Sequence, residues 1–150
     1  MQPVPAPRAR SAERRLPLFQ YRVFNYSFLV SPASTLLTLI PRIDLGGARA
    51  AIVEIRLHEG SIASGGRFNF RVRGINPSPS DGQDFESSNL ASGSATSSTT
   101  YPDVLTLGGS SLENLQYPAL RLLMDPLGPT SAGDLYLIAS GDVVLREAIA

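Results

Sequence analysis

Between Ala51 and Ile75 the chain alternates between apolar and charged or polar side chains. Val53, Ile55 and Leu57 are interleaved with Glu54, Arg56 and His58, and Phe68, Phe70 and Val72 with Asn69, Arg71 and Arg73. Period two belongs to an extended strand whose successive side chains point to opposite sides, so each run presents one apolar and one polar face. A slip of one residue would bury the charges, which holds each strand to one orientation. The two runs read as a long antiparallel hairpin around an eight-residue bend, Glu59 to Gly66. In that register Leu57 lies opposite Phe68, Ile55 opposite Phe70, Val53 opposite Val72, and Glu54 opposite Arg71. The last is an attractive pair worth about 0.2–1 kcal/mol.

The same signal recurs along the chain. Phe24, Tyr26, Phe28 and Val30 alternate within a strand from Leu16, ended by Ser31-Pro32, and Thr35 to Ile40 forms the next, ended by Pro41. Tyr101 to Leu107, Leu115 to Met124, Leu135 to Ala139 and Val143 to Glu147 complete the set, with Gly141-Asp142 read as the turn between the last two. A helix through Leu112 to Met124 would hold Pro118 in its interior at a cost of about 3 kcal/mol, so strand is preferred there. Residues 76–100, rich in Ser, Pro and Gly, read as one long polar loop. About eight strands separated by turn chemistry predict an all-β fold, a single antiparallel sandwich of jelly-roll type. An immunoglobulin-like sandwich is the second architecture, without the Cys and Trp that mark its antibody form. No solenoid or propeller period is present.

A chain of 150 residues suits one domain, 16–150, with a sizeable core. It has no cysteine, which excludes disulfides, thiolate zinc sites and a cysteine nucleophile. No apolar run resembling a secretory signal follows the N-terminal charges, and no stretch of about 20 apolar residues offers a span, so a soluble protein with no membrane partner is expected. All 13 basic residues are arginine, balanced by 13 acids. GC-rich codon usage explains this blandly; the alternative is selection for the bidentate pairing that Lys makes poorly. Residues 1–15 hold Arg8, Arg10, Arg14 and Arg15 against Glu13, with Pro3, Pro5 and Pro7 favouring an extended arm.

Chemistry-bearing residues are sparse. His58 is the single histidine, and with no G-x-S-x-G elbow it is expected to be an exposed strand-end residue. Asp81, Asp84 and Glu86 put three carboxylates in one segment, but not at EF-hand spacing, so a solvated turn is preferred to a calcium site. Glu54 and Glu59 form a remote glycosidase pair. Tyr21, Tyr101 and Tyr117 could serve as stacking platforms for sugar. No catalytic residue, cofactor or metal is assigned.

The expected function is therefore a non-enzymatic structural subunit that self-associates into a capsid, decoration or fibre of a virion-like particle. Its partners would be copies of itself or another shell protein, with Arg8, Arg10, Arg14 and Arg15 as an intersubunit tether. Four arginines without interleaved aromatics make a small footprint for nucleic acid. A carbohydrate-binding β-sandwich is the alternative.

Overall fold

A computed structural model describes residues 12–28, 36–77, 84–113, 115–129 and 132–147. Eight strands are present: β1 (Ala12–Phe28), β2 (Leu37–Asp44), β3 (Ala50–Ile62), β4 (Arg67–Pro77), β5 (Asp84–Thr96), β6 (Asp103–Leu107), β7 (Ala119–Leu127) and β8 (Gly133–Glu147). They form two four-stranded sheets, ordered β1-β8-β3-β6 and β2-β7-β4-β5, with every pairing antiparallel. Only β4 and β5 are consecutive neighbours in a sheet; each other connection crosses to the opposite sheet. This is the jelly-roll form of the expected sandwich.

The alternation around Val53 and Phe70 is present, but the hairpin is not. β3 and β4 lie in opposite sheets, joined by the short turn 63–66, in which Gly66 N–H donates to Ala63 O at 2.9 Å. Their apolar sets face each other across the core instead of lying side by side, and Val53, Ile55, Leu57, Phe68, Phe70 and Val72 are all fully buried. Phe24 of β1 marks the same interface, its ring 6.0 Å from Phe68 and 6.3 Å from Phe70 of the other sheet. Glu54 and Arg71 consequently stand on opposite outer faces, Glu54 bound to Arg15 and Arg71 to Asp125.

Two further expectations change. Residues 84–96, read as loop, are the edge strand β5. Gly93 lies so close to β6 that a Cβ there would sit 2.7 Å from Leu107 Cδ2, and Ala95 is fully buried, so the inner positions of β5 from Ala91 to Ala95 hold only Ala and Gly, while Leu90 packs on the core further along. Gly141-Asp142, read as a turn, lies within β8. Gly141 leaves room for the Phe19 ring, which a Cβ would meet at 2.6 Å, and Asp142 points outward to arginines. β1 begins at Ala12, so Glu13, Arg14 and Arg15 pair with β8.

The free sheet edges are blunted. β1 carries Pro17 and register shifts between Pro17 and Arg22, β2 carries Pro41 and shifts around Ile40, β6 has five residues, and the longer β5 is interrupted by register shifts between Glu86 and Ala91. No helix among the described residues is long and apolar enough to cross a membrane.

Candidate functional site

On the outer face of the β1-β8-β3-β6 sheet, Arg15 reaches over β8. It grips Glu54 with two bonds of 2.8 and 3.2 Å and Asp142 at 3.2 Å. Asp142 is only 6% exposed and also accepts from Arg56. The arginine hydrogen bonds hold both carboxyls below their ordinary range, Glu54 through Arg15 and Asp142 first through Arg56, against the opposing effect of burial. The other sheet repeats this chemistry, with Arg71 on Asp125 at 3.1 Å, Arg73 on Glu86, and Arg121 on Glu86 at 2.6 Å and Asp84 at 3.3 Å. Burial pushes the Glu86 carboxyl up, and the two guanidinium groups more than reverse this. Eleven arginines lie among the described residues, and Arg14, Arg15, Arg42, Arg56, Arg71, Arg73, Arg121 and Arg146 are in ion pairs. Planar, bidentate pairing is what Arg does and Lys does not.

These pairs bear on two sequence expectations. Asp84 and Glu86 spend their oxygens on arginine, Asp81 lies outside the described residues, and no group of three metal-ligating side chains occurs among the described residues. Glu54 is likewise engaged by Arg15, so of the Glu54 and Glu59 pair only Glu59 is outside an ion pair among the described residues. Arg8 and Arg10 lie outside the described residues. Arg14 pairs with Glu147 at 2.7 Å, and Arg15 is the staple described above.

A different cluster forms further along the same face. β1 breaks register between Phe19 and Arg22, and Tyr21 sits there at φ 47°, the one non-glycine residue with positive φ among the described residues. That region is costly for an L-residue and persists where surroundings impose it. Here Tyr21 N–H donates to Ser140 Oγ at 2.9 Å, and the Tyr21 ring stacks on His58 with centroids 4.3 Å apart and planes at 16°. Ser140 Oγ and His58 Nε2 hydrogen-bond at 2.8 Å. His58 is thus not at a strand end but beside a β3 irregularity, between Leu57 and Glu59. Ser140 is 1% exposed with its hydroxyl held by both partners, so the pair acts as a brace for Tyr21 and presents no accessible nucleophile.

Tyr21 remains 68% exposed and Val23, two residues on, 56%. The other two tyrosines do not join them. Tyr101 packs over Gly60 against the core, and Tyr117 covers Gly74 of β4. Glu59 follows His58 and pairs in register with Ile138, which itself pairs with Val23, so the three share a row on the outer face. It is exposed and makes no ion pair among the described residues. Sequence reasoning missed Ser140 altogether. It lies 119 residues from Tyr21 and 82 from His58, and nothing local to any of the three signals their meeting.

No protein-family model matches the chain, and no characterised protein is similar to it in sequence. Solved structures are similar in fold. The crystal structure of the infectious bursal disease virus VP2 subviral particle covers 93% of this chain with a TM-score of 0.55 and 13% identity. The structure of the Gx strain of the same virus covers 93% with a TM-score of 0.55 and 11% identity. This chain spans 33% and 32% of those chains, about a third of their length. What the likeness establishes is the fold, an eight-stranded jelly roll shared with a protein of a viral particle.

Proposed function

We propose that the chain is a non-enzymatic structural subunit that associates with copies of itself into a shell-like assembly. The observation that carries this reading is the jelly-roll order over the whole described chain, shared across 93% of its length with the VP2 subviral particle protein. Three further features support it. Most of the described arginines are neutralised in ion pairs, which lowers the repulsion between like copies. Blunted sheet edges direct association away from open-ended strand addition and toward side-chain contacts. The Pro- and Arg-rich N-terminal arm is suited to tether neighbours, because prolines reduce the conformational freedom lost on docking.

Sedimentation of the purified chain tests the reading. A closed, high-mass oligomer is expected; a species that stays at 16.0 kDa at high concentration would refute it.

A further inference from the structure

We propose that the Tyr21–Glu59 face is a guanidinium-binding platform and that its ligand is Arg8 or Arg10 from the arm of a second copy. The inference rests on the self-association reading and names the contact through which it would act.

The platform has the parts that recognise an arginine side chain. Tyr21 offers one ring face to solvent while the other is stacked on His58, so the ring is held flat and outward before any ligand arrives. Guanidinium groups stack on aromatic faces, and more favourably when the ring is already fixed. Next to His58 on β3, in the row of Ile138 and Val23, stands the exposed carboxylate of Glu59, which makes no ion pair among the described residues, on a surface where the other carboxylates described above already hold arginine. Val23 and Ile138 supply apolar surface for an aliphatic stem or a proline ring.

Chain geometry selects the source. Ala12 pairs with Glu147, whereas the platform lies beside Ser140 and Ile138 of the same β8 strand. Seven to nine residues of strand separate those levels, roughly 23–30 Å. Arg10 and Arg8 precede Ala12 by two and four residues, at most about 7 and 14 Å of extended chain. Arg10 falls well short of its own platform even with the side chain stretched toward it, and Arg8 reaches only its near edge, and only with chain and side chain both fully extended. The arm of another copy has no such limit, and its Pro-x-Pro-Arg-x-Arg run (Pro5 to Arg10) carries no acid to compete with Glu59.

The test uses full-length chains and a fluorescent peptide of residues 1–11. Full-length protein with Arg8→Ala and Arg10→Ala keeps the platform and should bind the peptide saturably. Adding Glu59→Gln, or separately Tyr21→Leu, should weaken that binding at least tenfold, and a peptide lacking both arginines should not bind. Mixing the Arg8→Ala, Arg10→Ala chain with a Glu59→Gln chain should give mixed pairs joined by one intact contact. Absent peptide binding, or binding that survives both platform substitutions in folded protein, overturns the proposal. The two readings fail separately. An intact chain that stays monomeric while the peptide binds at this face refutes self-association, and with it a second copy as the ligand's source, but leaves the guanidinium platform standing, whereas Glu59→Gln and Tyr21→Leu chains that assemble like the parent refute the platform alone.

Discussion

Tyr21 is where a single side chain resists its own backbone. Its φ of 47° would suit glycine, yet the ring is braced on His58 and the amide on Ser140. Tyr21→Ala keeps the unfavourable φ and loses the stack, so it should destabilise the fold by about 1 kcal/mol or more. Tyr21→Gly removes the strain along with the stack and should cost less, which reverses the usual order for glycine in a strand. Urea midpoints of the two variants check this. His58→Ala, harmless for a histidine at a strand end, should instead cost about 1 kcal/mol through the lost stack and hydrogen bond. The acids of the arginine networks set the response to pH. Glu54, Asp142 and Glu86 have folded pKa values below their unfolded ones. Their contribution is therefore full above about pH 4.5 and is lost as pH falls through the depressed values. Denaturant midpoints should be flat from pH 7 to 5 and drop toward pH 3, and Asp142→Asn should flatten that drop. A profile unchanged by Asp142→Asn would show that this carboxylate is not a titrating element.

Elements were legible where their side chains alternate and illegible where neighbours in space dictate composition. The apolar faces around Val53 and Phe70 were readable because period two is written in the residues themselves. Whether two such strands lie side by side or face to face is not, since both arrangements bury the same side chains. β5 was missed for a physical reason: Leu107 lies against Gly93, so its inner positions from Ala91 to Ala95 hold Gly and Ala, and small residues mixed with serine resemble a loop. Gly141-Asp142 misled in the same way, with Phe19 requiring the glycine and Arg15 and Arg56 the aspartate. The two misreadings offset each other, so the expected number of strands was right while their boundaries were not. Hydrogen exchange distinguishes the alternatives for 84–96. Amides bonded to β4 should be protected well beyond random-coil rates, and uniform exchange at those rates would contradict a strand there. For Gly141→Ala, the methyl group would press into the Phe19 ring, and a loss of about 1–3 kcal/mol is expected from overpacking. Phe19→Leu in the same chain should recover part of it.

At the scale of the molecule, the exposed ion pairs of Arg14, Arg42 and Arg146 are each worth little, about 0–1 kcal/mol, while those on Asp142, Asp125 and Glu86 are more buried and less screened, so salt should change domain stability only slightly. On the proposed reading, contacts made by the arm would be charge-assisted, so raising ionic strength should weaken association first. Sedimentation and thermal melts across a salt series separate the two responses. The sandwich was visible in the residues; the cluster of Tyr21, His58 and Ser140 was not, because the three come together only through β8. That strand carries a consequence in time. β8 is the eighth strand in the chain, yet it sits between β1 and β3 and supplies the pairing partner of the first. During synthesis β1 must wait, exposed, until residues 133–147 have left the ribosome, because its hydrogen-bonding partner does not exist before then. A chain stalled at residue 132 should fail to acquire protease resistance, and release of the remaining residues should confer it in a single step.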